Sequence, residues 1–244
     1  MRAQFNAQKA LVLEGLANNP RGKSIKTKDY VGDLIEWEQS DTSIKLAIAP
    51  TLYEVIISTA REAMLEIGQQ PSTYDPFAKA VREYLDARSF KIAGDVNDET
   101  EKQLRAALTE GINAGESGYT LRSRVEAIFG FAIEQRADLI ASTEVARAQS
   151  YADISAWGQS GVIEGKEWHT AEDEMVCPFC GPMDGRIIGI DENFFDKGDV
   201  QHETSTNRNG DAKVSTYNHS YDDVPGAPLH PRCRCVLLPV RVMQ

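Results

Sequence analysis

Apolar residues recur at helical spacing through most of the first 160 residues of the chain. The stretch IKLAIAPTLYEVIISTAREAMLEIG places Leu52, Ile56 and Ile67 on one stripe, which predicts an amphipathic helix. Pro50 suits the first turn of that helix, and Gly68 suits its C-terminal end. The first half of the chain is therefore predicted to be helical.

Four further stretches repeat this pattern. Asp98, with Glu101 three residues later, is typical of a capping box at a helix start. Thr120 is a candidate cap for the helix that follows. Each predicted helix ends at a glycine, because glycine adopts the left-handed conformation that terminates helices; these ends are Gly94, Gly115, Gly130 and Gly161.

The pattern changes after Gly161. KEWHT and CVLLPVRV read as short strands, and Asp184-Gly185 before an apolar run favours a hairpin. The polar stretch 197–223 is either a mobile loop or an exposed hairpin turning at Asn209-Gly210. His202 and His219 within it are predicted to be exposed. Few residues here are candidates for a hydrophobic core, so a small module of this kind needs a covalent or metal staple.

The chain has a net charge of -11, which argues against broad electrostatic binding to nucleic acid and fits protein partners better. Its N-terminal residues do not form a secretory signal. No apolar run approaches the roughly 20 residues needed to span a bilayer, so no membrane partner is expected. We therefore expect synthesis in a cytosol that keeps thiols reduced.

All four cysteines lie in two close pairs, CPFC at Cys177 and Cys180, and CRC at Cys233 and Cys235, with His230 nearby. Such donors suit a tetrahedral zinc ion. The favoured interpretation is a structural zinc bound by Cys177 and Cys180 with two of His230, Cys233 and Cys235. Two disulfide-linked pairs and unliganded buried thiols are the alternatives. The flanking arginines, Arg232 and Arg234, either offset the charge of the thiolates or are solvated.

The predicted fold class is α+β, with a helical N-terminal and central region followed by a small β-rich, zinc-stapled module. The predicted divisions are a helical region over 1–95, a second helical part over 96–160, and the cysteine module over 161–244.

No catalytic residues are predicted. Signatures of zinc deaminases, HExxH metalloproteases, serine hydrolases and phosphate-binding loops do not occur in the sequence. A zinc ion with four protein ligands leaves no position for a catalytic water. The alternative is an acid–base group drawn from His169, Asp173, Glu174 and Asp184, which we interpret as solvated side chains.

The order of these motifs resembles the tailed-phage head-morphogenesis family, whose members are similar to the F protein of phage Mu. The resemblance covers roughly residues 100–240. A Thr-Glu helix precedes a tryptophan with an acidic turn, the CxxC, an Asp-Gly turn and a terminal His-Pro-x-Cys-Arg-Cys. The matching residues are Thr143, Glu144, Trp168, Asp173, Cys177, Cys180, Asp184, Gly185, His230, Pro231, Cys233, Arg234 and Cys235.

This resemblance implies a minor capsid protein, without enzymatic activity, that associates with the phage portal or major capsid protein. It would be made in the host cytoplasm and lie in the virion, in the capsid interior or at the portal vertex, with a role in DNA packaging or ejection. The alternatives are the delivery or structural part of a bacterial toxin and a zinc-dependent hydrolase. A weaker alternative is DNA binding through a local basic strip of Arg122, Arg124, Arg136 and Arg147.

Overall fold

A computed structural model describes residues 1–18, 35–206 and 212–241 of the chain. Helices dominate the described residues up to Ser160, and short antiparallel strands follow, so the α+β prediction is confirmed. The helices are α1 (Arg2–Asn18), α2 (Trp37–Glu66), α3 (Lys79–Asn113), α4 (Gly118–Phe131) and α5 (Ala137–Ser160). The strands are β1 (Ile163–His169), β2 (Ile187–Gly189), β3 (Val200–Thr206), β4 (Ala212–Asn218) and β5 (Val236–Arg241).

Helix α2 is longer than the sequence predicted. It begins at Trp37, so Pro50 lies inside the helix and not in its first turn. The buried stripe explains the extension, because Ile44 is fully buried two turns before the buried Leu52. The predicted end is confirmed: Gly68 has a φ of 77° just beyond the last helical residue.

Helix α2 is also long and apolar enough, by length and composition alone, to cross a membrane. The sequence prediction that no apolar run reaches this length is therefore wrong. One such helix is weak evidence for insertion, and 22% of its apolar window is buried inside the protein. One face of α2, including Ile56, Ala60 and Met64, is buried within the protein.

Helix α3 joins two of the predicted helices into one. Gly94 does not end a helix, and Asp98 does not begin one, because both lie inside α3. Its buried stripe passes through this region without a break, with Ala93 and Val96 both buried. Gly115, with a φ of 70°, ends α3 as predicted.

The next two helices also form a continuous run. Ser117, not Thr120, caps α4, since its side chain accepts a hydrogen bond from the Thr120 backbone N–H. Gly130 lies within α4 and does not end it. A π-helical turn over Ala132–Arg136 leads directly into α5. The predicted end of α5 is confirmed by Gly161, whose φ is 67°.

The chain forms two compact units, residues 1–53 with 79–140 and residues 54–78 with 141–244. In the first unit, α4 packs against α1 and α3. Each unit combines two separate stretches of the chain, whereas the predicted divisions 1–95, 96–160 and 161–244 are continuous. Helix α3 also runs through the division at residue 95. The units thus do not test the three divisions, which stay a prediction.

In the second unit, β1 is the central strand of an antiparallel sheet in the order β2-β1-β5. The β1–β5 ladder pairs Trp168 with Leu237 and His169 with Val236. Strands β3 and β4 form a separate two-stranded hairpin. The hairpin interpretation of the polar stretch 197–223 is thus confirmed, while its predicted turn at 209–210 lies outside the described residues.

The strand region has a small apolar core, contrary to the expectation from the sequence. Trp168 is fully buried, and Phe194 meets it edge-on with ring centroids 5.1 Å apart. Met183, Leu229 and Leu237 are also buried. Trp168 meets Phe194 and is the ladder partner of Leu237, and only the folded chain shows that these distant residues come together.

His219 is buried, so its predicted exposure is wrong. Its ring stacks on Phe195 with centroids 4.1 Å apart and meets Tyr217 edge-on at 5.0 Å. Burial lowers the pKa of His219, although nearby Asp199 opposes that effect. His202, by contrast, is exposed as predicted.

Candidate metal centre

The first donor segment is a tight turn between Cys177 and Cys180. The backbone N–H groups of Cys180 and Gly181 both donate to the Cys177 carbonyl oxygen, at 3.1 and 3.0 Å. The Cys180 N–H also lies 3.3 Å from the Cys177 sulfur. A short 3₁₀ helix over Gly181–Met183 follows. This turn directs both sulfurs toward one side, which is the geometry that makes CxxC a metal-binding motif.

The second donor segment runs from His230 to Cys235 and continues into β5. The Cys233 N–H donates to the His230 carbonyl oxygen at 3.1 Å, and Arg232 within this turn has a φ of 62°. The β1–β5 ladder begins immediately after Cys235. Since β1 leads into the first segment and β5 follows the second, strand pairing places the two segments side by side.

The structure brings all five predicted donors together. The Cys177 and Cys180 sulfurs lie 3.0 and 3.4 Å from the His230 Nε2 atom. The Cys180 and Cys233 sulfurs are 3.8 Å apart. The ligand atoms of Cys177, Cys180 and His230 lie within 4.8 Å of one another, as do those of Cys180, Cys233 and Cys235. Cys180 therefore belongs to both groups.

These separations are close to those around a metal ion. Tetrahedral zinc with bonds of about 2.0–2.3 Å separates its ligand atoms by roughly 3.3–3.8 Å. The Cys180–His230 and Cys180–Cys233 separations of 3.4 and 3.8 Å lie in this range, and the Cys177–His230 separation of 3.0 Å is shorter. The His230 Nδ1 atom is 2.9 Å from the Pro231 carbonyl oxygen. Because a carbonyl can only accept, Nδ1 carries the proton, which leaves the Nε2 atom beside the sulfurs as the one that can bind a metal ion. The cluster can hold a metal ion.

The sulfurs also shift each other's proton affinity. A hydrogen bond from Cys180, followed by one from Cys235, lowers the pKa of Cys233. The same bond to Cys233 raises the pKa of Cys180, and burial raises it further. Thiolate charge is therefore favoured at Cys233, and a thiolate is the form of cysteine that binds metals.

Arg234, one of the two flanking arginines, forms an ion pair near the donor segments. Arg234 makes two hydrogen bonds to the Asp173 carboxylate, at 2.7 and 2.5 Å. Asp173 also accepts from the Met175 N–H at 2.9 Å, which holds the carboxylate at the turn before Cys177. The pKa of Asp173 is lowered, first by Arg234 and then by this backbone bond. The ion pair thus joins the first donor segment to the second.

The alternative acid–base residues are not arranged as one group. Asp173 is bound to Arg234, whereas Asp184 accepts bonds from the Thr170 N–H and hydroxyl at 2.7 and 2.9 Å. The His169 Nδ1 atom lies 3.9 Å from Asp184. Glu172, which no sequence pattern indicated, completes a largely exposed group with His169 and Asp184.

The Thr-Glu motif lies on α5. Thr143 and Glu144 are both buried. Arg147 Nη1 is 3.1 Å from the Glu144 carboxylate, and its guanidinium lies 5.2 Å from the centroid of the Tyr221 ring. Glu144 and Arg147 therefore connect α5 with the loop that leads to the second donor segment.

Two arginines of the candidate basic strip are bound inside the first unit. Arg124 forms ion pairs with Glu110 and Glu116. Arg136 is partly buried and donates to the Thr100 hydroxyl at 3.0 Å. Because these side chains already have partners, the structure does not favour their use in a DNA-binding strip.

A family of known proteins matches most of this sequence. The family described as Phage Mu protein F like protein matches residues 102–238, which is more than half of the chain. The chain belongs to this family, and the resemblance inferred from its motifs is confirmed. It is accordingly a phage head-morphogenesis protein, associated with the virion and with other head components. Comparisons with curated proteins and with solved structures found no match.

Proposed function

We propose that the chain is a minor head protein that docks on the portal or the major capsid protein during head assembly, and that a structural zinc ion fastens its C-terminal module. Family membership supports the head role. The convergence of five zinc-type donors from two segments about 50 residues apart supports the zinc ion.

Zinc is the ion proposed because the donors are thiolates and imidazole. Soft sulfur ligands select zinc over magnesium or calcium, which prefer oxygen. We assign Cys177, Cys180 and His230 as three of the ligands, since their ligand atoms form one close group. The fourth ligand is Cys233 or Cys235, which form a second close group with Cys180.

We further propose that the role is structural and not enzymatic. Four protein ligands close the zinc coordination shell, so no position is left for an activated water. The ion then replaces part of the large core that a small module lacks. The rigid module would serve as a contact surface in the capsid interior or at the portal vertex, including during DNA packaging or ejection.

Metal analysis of the full chain tests the zinc site. Protein purified under reducing conditions is expected to contain one zinc per chain. Cys177→Ser should lose it, whereas Glu174→Gln, a neighbouring acidic change outside the donor set, should retain it. Cys233→Ser and Cys235→Ser compare the two candidates for the fourth position. Reduced wild-type protein without stoichiometric zinc would contradict the proposed site.

Fractionation of phage-producing cells tests the head role. The tagged chain is expected to co-purify with portal protein and to occur in purified virions in a few copies. Cys177→Ser should reduce this incorporation if the zinc-fastened module is the contact surface. Recovery as free monomer alone, with none in virions, would argue against portal or capsid docking.

A further inference from the structure

The hairpin of β3 and β4 contacts both donor segments. The Gln201 Nε2 atom donates to the Phe179 carbonyl oxygen at 2.7 Å, and Phe179 lies between the two cysteines of the first segment. The Tyr217 hydroxyl donates to the Leu229 carbonyl oxygen at 3.1 Å, and Leu229 directly precedes His230. One hairpin therefore holds the backbone of both segments.

The two donating residues are direct cross-strand partners. Gln201 is paired with Tyr217 in the β3–β4 register. Side chains in such a pair have their Cβ atoms about 4.5–5.5 Å apart, so they act from one place on the hairpin. The Phe179 ring also packs against the Tyr217 ring, with centroids 5.4 Å apart. The distance between the two accepting carbonyl oxygens is consequently set by one cross-strand pair, Gln201 and Tyr217.

The burial of Gln201 supports a specific role for this cross-strand pair. Gln201 is only 7% exposed, although most of the hairpin is polar and open to solvent. The apolar side chains of Val200 and Val214 on the same hairpin are 49% and 66% exposed. Burial of aliphatic side chains on these strands therefore contributes little to holding the hairpin in place. Hydrogen bonds contribute correspondingly more to its position.

We propose that Gln201 and Tyr217 are positioning residues for the metal centre, holding the two donor segments at the separation that one ion requires. This inference rests on the proposed zinc site. Pre-positioned ligands bind without the entropic cost of ordering their segments. Partners just outside a zinc coordination shell typically contribute about 10–100-fold in affinity.

Zinc competition against a chromophoric chelator tests the proposal on the full chain. Tyr217→Phe and Gln201→Leu are each expected to weaken zinc binding by about tenfold. Tyr151→Phe is the matched control, because it removes the same hydroxyl from a half-buried tyrosine that is hydrogen-bonded to Ser155. The control is expected to bind zinc as tightly as the wild-type chain.

Thermal unfolding with and without zinc separates positioning from general stability. A positioning role narrows the difference in Tm between zinc-loaded and zinc-free protein, because that difference reports metal affinity. A merely structural role lowers both Tm values equally and would overturn the inference. Wild-type affinity in Tyr217→Phe and Gln201→Leu would also overturn it while leaving the zinc site intact. Absence of zinc binding by the wild-type chain would instead remove the proposed site itself.

A measurement on the wild-type protein covers the case of a variant that does not fold. Coupling between sites is reciprocal, so a hairpin that strengthens zinc binding must itself be stabilised by zinc. Hydrogen exchange should therefore slow in residues 200–206 and 212–218 when zinc is added. Unchanged exchange in both strands, with zinc bound, would refute the positioning role.

Discussion

Gly165 lies in the central strand β1 and allows a close approach by β2. A methyl group added there would lie 2.9 Å from the Ile188 carbonyl oxygen and 3.5 Å from the Val240 Cβ atom. Real Cβ atoms essentially never come within 3.0 Å of another heavy atom. The oxygen belongs to the backbone of β2, so a side-chain rotation cannot relieve the contact. Gly165→Ala is therefore expected to shift the β1–β2 ladder.

The expected cost follows from two opposing terms. Overpacking in a well-packed region costs about 1–3 kcal/mol. Alanine also restricts the unfolded chain, which stabilises the folded protein by about 0.4–1 kcal/mol. The net loss is about 1–2 kcal/mol in the free energy of unfolding. For a chain of this size, such a loss lowers the Tm by roughly 2–8 °C.

Thermal unfolding followed by circular dichroism checks this expectation. Gly158→Ala is the control, because its methyl meets nothing within 4 Å and Gly158 lies inside helix α5 of the same unit. That change is expected to stabilise the helix by about 0.5–1 kcal/mol. If Gly165→Ala melts at or above the wild-type temperature, the backbone contact does not limit this position and the reasoning is wrong.

Three further changes have measurable outcomes. Asp153→Asn should raise the free energy of unfolding at pH 8 by on the order of 4 kcal/mol, because burial and two nearby glutamates raise the pKa of Asp153 from 3.8 to about 7. The gain should vanish as the pH falls from 7 toward 4, and a gain independent of pH in denaturant titrations would contradict this. Ser117→Ala should cost about 1 kcal/mol in thermal unfolding through loss of the α4 cap, more than the exposed Ser123→Ala; equal losses would speak against the cap. Arg234→Gln should weaken zinc binding by about tenfold, while Arg232→Gln should leave it nearly unchanged; equal effects would exclude a role for the ion pair.

The helix predictions show where a local signal is sufficient. Gly68, Gly115 and Gly161 end helices as predicted, and all three have a positive φ. Gly94 and Gly130 lie inside helices instead. A glycine permits the left-handed conformation without requiring it. Where the buried stripe continues on both sides, packing favours continuation of the helix over termination.

The metal donors of the candidate site were predictable from the sequence, but the residues that hold the donor segments in place were not. Two cysteine pairs with a histidine are visible as a spacing pattern. The contact of Gln201 with Phe179 and that of Tyr217 with Leu229 are not visible, because they join residues 22 and 12 positions apart across separate elements. The burial of His219 was missed for the same reason, since its partners lie in a loop and a strand that come together only on folding.

The sequence by itself determined the helical stripes, the supply of soft donors and the family to which the chain belongs, since each depends on residue type and spacing along the chain. The tertiary structure decided which donors meet. Pairing of β1 with β5 sets the two cysteine segments side by side, and a cross-strand pair of the hairpin holds both. Strand register is chosen by packing and hydrogen bonding between distant segments, and local sequence does not specify that choice.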